Sequence, residues 1–349
     1  MAMKRRIVRG LIVVALIAAW FNGASYLEAK RISVPMPSAS QPPAPMSAAE
    51  RAALLEDVRI LSSPEYEGRR TGTPGNRKAQ ALIEQRFAAL GLQPFGGSFR
   101  QPFTFKHRSI KGLVTPGRPY ETAYNDATNI VGYVRGTAAP DRYLVISAHY
   151  DHLGIRNGKL YPGADDNASG VAAMLALAAR FKANPPQHSI IFAAFDAEEL
   201  GLEGANAFVA RLPVPKEQVA MNLNFDMIAH NNDNQIFVAG THHYPFLKPL
   251  VEQSAAATSV HVTAGHDRPQ LLAGSVEDWT SSSDHGAFHK AGIPFLYFGV
   301  ADHEDYHAPS DTFARINPAF FASVTQMLTG LAMSLDRNLD TIAQVAAAR

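Results

Sequence analysis

Cysteine is absent from all 349 residues. That excludes disulfides, thiolate metal fingers, a thiol nucleophile and a membrane anchor through a lipidated cysteine. It leaves an oxidising compartment open, because an exported protein can do without disulfides. A surplus of one charge is missing as well: 32 basic and 31 acidic residues give a net +1. The balance is uneven along the chain. Residues 1–31 hold Lys4, Arg5, Arg6, Arg9, Lys30 and Arg31 against Glu28, a local +5, and the remaining 26 basic and 30 acidic residues leave about −4. A basic footprint for nucleic acid is therefore lacking, and no nucleic-acid partner is expected. There is no glycine-rich phosphate loop of the P-loop or Rossmann kind either.

What is present begins with an address. MAMKRRIVRG is a basic start, and LIVVALIAAWF is an apolar run of 11 residues, the length of a signal core. Small residues follow at Gly23, Ala24 and Ser25 without a clean A-x-A site. Residues 1–31 are thus expected to be a signal peptide or an uncleaved N-terminal membrane anchor, and the protein to be exported, periplasmic or secreted, with a membrane tether in the uncleaved case. Residues 32–47, rich in Pro, Ser and Ala, cannot build a core and read as an extended linker.

Ser47 with Glu50 three residues later predicts a capped helix over SAAERAALLEDVRILSS. A glycine-punctuated loop, EGRRTGTPGN, leads to a second helix, RKAQALIEQRFAALG. After the strand-like FRQPFTFKHRS, strands and helices alternate: NIVGYVRG, YLVISAH, HSIIFAAFD, VAMNLNFDMI, NQIFVAG and IPFLYFGV read as strands. VAAMLALAARFKA, LEGANAFVARL, HHYPFLKPLVEQSAAAT and NPAFFASVTQMLTGLAMSLD read as helices. Continuous apolar strands of this kind are buried on both faces. The expectation is one α/β domain over residues 48–335, three layers with a mixed, mostly parallel sheet between helices, followed by a frayed helical tail over residues 336–349.

In open α/β sheets, ligands bind beyond the carboxyl ends of the strands. Here YLVISA is followed by His149, Tyr150, Asp151 and His152, and a helix opens after Asp165, Asp166 and Asn167. SIIFAAF is followed by Asp196, Glu198 and Glu199, VAMNLNF by Asp226, and PFLYFGV by a loop carrying Tyr306 and His307. Each residue alone has an ordinary explanation: a loop aspartate commonly caps a helix, and glutamates favour a helix start. The coincidence over successive strand ends argues otherwise. Nitrogen and carboxylate donors without thiolate suit zinc, with cobalt or manganese as substitutes.

SAHYDHLG, GADDNASG, AEELGLEGA, NFDMI, SSDHGAFHKAGIP and DYHAPSDT together resemble the co-catalytic dizinc aminopeptidase family, over roughly residues 65 to 330 and in the family's order. The resemblance implies two zinc ions per chain and a site at the carboxyl ends of the strands. His149 and Asp226 would hold the first ion, Glu199 and His307 the second, and Asp166 would bridge them. Glu198 would be the general base towards a zinc-bridging water. Asp151 would orient the His149 ring, and Tyr306 would donate a hydrogen bond to the oxyanion. Asp165 becomes a neighbour, His152 a loop support, and His242 and His243 residues of a helix start. His303 is a weaker candidate than His307, and Asp284 and His285 are left without a named role.

The implied activity is zinc-dependent hydrolysis of the N-terminal peptide bond of peptides with a free amino end. Two alternatives stand beside it: a glutaminyl cyclase or other amide hydrolase on the same fold, and a catalytically silent ectodomain. The intact donor set speaks for the enzyme.

Overall fold

The computed structural model describes residues 44–109, 120–268 and 276–348. The N-terminal segment over residues 1–31, and the linker up to residue 43, lie outside the described residues.

The predicted capping box is present. Ser47 Oγ accepts from the Glu50 amide at 3.2 Å, and Ser47 N donates to Glu50 Oε2 at 2.7 Å, opening helix α1, Ala48–Leu61. Helix α2, Pro74–Ala89, starts three residues before the expected Arg77. The reason is local: Thr73 accepts from the Asn76 amide at 3.2 Å, and Pro74 sits in the first turn, where its missing N–H costs nothing.

The sheet is built from β1 (Gln93–Pro94), β2 (Arg100–Arg108), β3 (Glu121–Val134), β4 (Ala139–His149), β7 (His188–Phe195), β8 (Val219–Phe225), β9 (Gln235–Ala239), β10 (His261–Ala264) and β11 (Phe295–Gly299). Its order is β1-β3-β7-β4-β8-β11-β9-β10, with β2 on the free part of β3. The four central strands β7, β4, β8 and β11 are parallel. Antiparallel ladders, β3 on β7 and β9 on β11, frame them. β5 (Gly154–Arg156) and β6 (Lys159–Tyr161) form a separate hairpin.

Every residue of β7 and β8 is buried, as their unbroken apolar runs require. Alternation assigns the faces. Leu144, Ile146, Ile190 and Phe192 pack with α1, α2, helix α3 (Gly170–Ala183) and helix α7 (Pro318–Arg337). Val145, Ile191 and Ala193 pack with helix α4 (Glu203–Ala210) and helix α6 (His285–Lys290). Helix α5 (Lys248–Ala256) joins the first layer through Leu250. Residues 339–347, expected as part of a frayed tail, form helix α8 (Leu339–Ala347) because Leu339 and Ile342, one turn apart, are buried in the same layer.

The registers His149 opposite Phe195 and Phe225 opposite Phe298 bring the carboxyl ends of the central strands level. The chemistry-bearing loops therefore start from one edge.

Candidate metal centre

His149 is the last residue of β4 and is buried. Its Nε2 lies 3.2 Å from Asp226 Oδ1 and 3.4 Å from Asp166 Oδ1. Its Nδ1 faces the Asp151 carbonyl oxygen at 3.1 Å, with the Asp151 carboxylate at 3.7 Å. The ring is thus oriented mainly through the backbone of Asp151, whose Oδ1 instead accepts from the Glu198 amide at 2.9 Å.

Across Asp166 lies a second group. His307 Nε2 is 3.1 Å from Asp166 Oδ2 and 3.3 Å from Glu199 Oε1. The two oxygens of Asp166 therefore serve different neighbours. Asp166 is fixed from behind, because Asp311 Oδ1 and Oδ2 accept from the Asp165 and Asp166 amides at 2.9 and 3.0 Å. The Asp166–Asn167 peptide is cis.

Glu198 and Glu199 stand after β7 on a short 3-10 turn. Ala197 precedes them at φ 59°, Met227 follows Asp226 at φ 59°, and His307 itself has φ 52°. Left-handed backbone at non-glycine residues costs of the order of 1–3 kcal/mol each and collects at functional sites. Glu198 belongs with His149 and Asp226, whose donor atoms all lie within 4.8 Å of one another; Glu199 belongs with Asp166 and His152 by the same measure.

Charge at this edge is out of balance. Burial pushes Glu198 well up, the more so for its neighbours Asp226, Asp284 and Glu199. Burial works against a charged His307, yet Asp166 and Glu199 outweigh it and raise the ring to about 10. Buried carboxylates are drawing in whatever positive charge is at hand, and divalent cations meet that demand better than protons. Orphaned buried atoms point the same way: Glu199 Oε1 and both ring nitrogens of His152 have no hydrogen-bond partner. The residues present fit a pair of metal ions with mixed nitrogen and oxygen donors.

His152, read from the sequence as a loop support, turns into this centre, with Nδ1 2.8 Å from Glu199 Oε1. The remaining candidates divide clearly. Asp165 Oδ1 accepts from the Ala229 amide at 2.7 Å, and its Oδ2 faces His303 Nε2 at 3.1 Å, so both residues tie loops together outside the centre. His243 Nε2 meets Thr280 Oγ1 at 2.8 Å, away from the metal groups. Asp284 is fully buried, its carboxylate has no partner among the described residues, and burial raises it to about 8. His285 Nε2 donates to the Trp279 carbonyl at 2.8 Å, holding a pocket wall.

A cavity of about 120 Å³ opens on the centre, lined by His149, Asp166, Glu198, Asp226, Tyr306 and His307, and on its outer side by Glu277, Trp279 and Asp302. Tyr306 stacks on His307 with ring centroids 3.9 Å apart.

Arg69 was passed over in the sequence. It is fully buried, and its guanidinium donates to five carbonyls: Tyr150 (2.8 Å), Leu61 and Pro162 (both 2.7 Å), Gly163 (2.8 Å) and Asp166 (3.5 Å). Burial lowers it to about 10, against the pull of Asp166, Asp311, Asp151 and Glu199. Asp196, also buried, accepts from Thr71 Oγ1 (2.9 Å), Asn76 Nδ2 (3.0 Å) and the Thr128 amide (3.1 Å), joining the EGRRTGTPGN loop to the end of β7.

The model of peptidase family M28 matches residues 129–332, which is 204 of the 349 residues and includes His149, Asp166, Glu198, Glu199, Asp226 and His307. The chain belongs to peptidase family M28. Among M28-like relatives, Aminopeptidase YwaD from Bacillus subtilis is 29% identical over 274 residues, covering 74% of this chain and 50% of YwaD. The chain spans about half the length of the curated relatives it matches, 52% in the case of a probable zinc metalloprotease from Pyrenophora tritici-repentis. In three dimensions the chain is similar to BSAP, a zinc aminopeptidase from Bacillus subtilis (18% identity, TM-score 0.61, 81% of this chain and 94% of BSAP). It is equally similar to Fimbriiglobus ruber glutaminyl cyclase (21% identity, TM-score 0.64, 85% and 99%). At these identities the likeness carries the fold alone, a single α/β domain with a mixed sheet flanked by helices.

Proposed function

We propose that this M28 chain is a zinc-dependent aminopeptidase that hydrolyses the N-terminal peptide bond of peptides with a free amino end. The observation that carries the reading is the split of Asp166, whose Oδ1 faces His149 at 3.4 Å and whose Oδ2 faces His307 at 3.1 Å. A carboxylate so placed can bridge two ions, with His149 and Asp226 on one side and Glu199 and His307 on the other. Zinc ions there would supply a nucleophile from water at neutral pH and polarise the scissile carbonyl.

The chain's own residues do the rest. Glu198, lining the cavity, takes the proton of the attacking water and hands it to the departing amine. Asp151 fixes both partners of that step, holding the His149 ring through its carbonyl and the Glu198 backbone through its carboxylate. Tyr306, at the cavity wall, donates a hydrogen bond to the developing oxyanion. The catalytic domain is residues 48–335, exported behind residues 1–31 as a signal peptide or membrane anchor.

The test combines zinc content per chain with hydrolysis of aminoacyl anilides beside N-acetylated and glutaminyl controls. Two zincs and cleavage of free-amine substrates only are expected. Cyclisation of N-terminal glutamine with one zinc would move the chain to the cyclase reading, and metal without turnover would make it a binding ectodomain.

A further inference from the structure

We propose that His152 is a fourth protein donor to the second metal position, which closes that position and leaves the first one to receive substrate. The inference rests on the two-metal reading above. Four atoms surround the second position: Asp166 Oδ2, Glu199 Oε1, His307 Nε2 and His152 Nδ1. The separations between oxygens and nitrogens are 3.1 and 3.3 Å from His307, and 3.6 and 2.8 Å from His152. Donors at the ~2.0–2.1 Å bond lengths of zinc, arranged tetrahedrally, stand about 3.3–3.4 Å apart. These four nitrogen–oxygen contacts fall near that value, and the donor atoms of His152, Asp166 and Glu199 all lie within 4.8 Å of one another.

Hydrogen bonding does not account for the ring. The His152 side chain is fully buried, and neither nitrogen has a partner in hydrogen-bond geometry, although Nδ1 is close to Glu199 Oε1. A buried imidazole left in that state is unfavourable, and a cation at the common point would satisfy one of its two nitrogens. Room for the ring is made by Gly163: a Cβ there would lie 2.6 Å from His152 Cγ and Cδ2.

The first position has a different count. His149, Asp226 and Asp166 approach it and line the cavity, with Glu198, the proposed base, beside them; of the second position's donors His307 also lines the cavity, whereas His152 and Glu199 do not. Three protein donors with an open side mark a catalytic zinc position, and four mark a closed one. Substrate oxygen is therefore received on the His149–Asp226 side.

The absence of cysteine from the chain makes the test direct. Nδ1 is the ring nitrogen nearer the backbone, so a cysteine sulfur, with its longer bond of ~2.3 Å to the metal, reaches nearly the same point. Full-length metal-free protein is titrated with cobalt(II), unmodified and as His152→Cys and His152→Ala, with far-ultraviolet circular dichroism as the fold control. In His152→Cys a thiolate-to-cobalt charge-transfer band should grow with the ion at the second position. In His152→Ala one of the two ions should weaken by more than the roughly 10–100-fold that loss of an outer partner costs. A folded His152→Cys that takes both ions without the band overturns the proposal. Should that variant not fold, His152→Ala decides, and two ions bound at unmodified affinity overturn it. Unmodified protein binding a single cobalt defeats the two-metal reading instead, while the thiolate band on that ion still upholds His152.

Discussion

Glu198 and Glu199 are adjacent, yet one faces the cavity and the other the His152–His307 side. The left-handed Ala197 and the 3-10 turn after it are what turn them apart. Glu198→Gln is isosteric and leaves His149, Asp166, Asp226, Glu199 and His307 in place. It is expected to keep bound zinc and lower kcat by about 10²–10⁴-fold; a near-native rate at full zinc would remove Glu198 from its role. Arg69 carries a structural task of similar weight. Arg69→Met strands buried carbonyls at the end of α1 and in the loops at Tyr150 and Pro162–Gly163, at about 1–3 kcal/mol each. Urea unfolding should show a loss of several kcal/mol, and a loss below about 1 kcal/mol would show that water replaces the guanidinium. His149, Glu198, Glu199 and Asp226 stood out in the sequence as candidates because each follows an apolar strand, whereas Asp166 stands before a helix. Arg69 did not, since an arginine in a glycine-rich loop reads as a surface charge, and only the fold reveals that the loop is buried. Likewise nothing in the order H-Y-D-H says which way His152 turns.

At the level of elements, the start of β7 is clasped by the end of α7. Asp336 accepts from the Gln187 and His188 amides at 2.9 and 2.8 Å and faces His188 Nδ1 at 3.1 Å, while Asp340 reaches Nε2 at 3.2 Å. Burial lowers the His188 pKa, but Asp336 and Asp340 outweigh it, so the net shift is upward. A raised histidine contributes stability fully below its unfolded value of ~6.5 and loses it as pH rises through the folded value. The stability advantage of the native chain over His188→Gln should therefore shrink as pH rises above the unfolded value of ~6.5 in urea titrations. An advantage that is flat or grows with pH would contradict the clasp. The long apolar strands and capped helices were readable because period and caps agree. The β5–β6 hairpin was passed over as a loop although its turn, Asn157-Gly158 at φ 52° and 73°, is the strongest short hairpin signal a sequence offers. β10, four residues with none buried, carries no hydrophobic period to read.

The whole molecule gathers four buried or largely buried carboxylates, Asp166, Glu198, Glu199 and Asp226, at one sheet edge. Folding without cations must hold them together unaided. Chelation should therefore lower the melting temperature by several degrees, with recovery on adding zinc. At free zinc 100-fold above its Kd the gain is ~2.7 kcal/mol. A melting temperature indifferent to chelator would mean that the carboxylates are neutralised by protons or by neighbouring side chains.

The clamp of Asp311 on the Asp165 and Asp166 amides, with His307 four residues before it, has a bearing on how the protein is made. His307 is 158 residues downstream of His149. At ~5–20 residues per second, a ribosome needs roughly 8–30 s to travel from one to the other. Throughout that interval the emerging chain lacks His307 and has an unpinned Asp166. On the proposed reading, latency is thus written into gene order: a nascent or prematurely terminated chain has no complete centre.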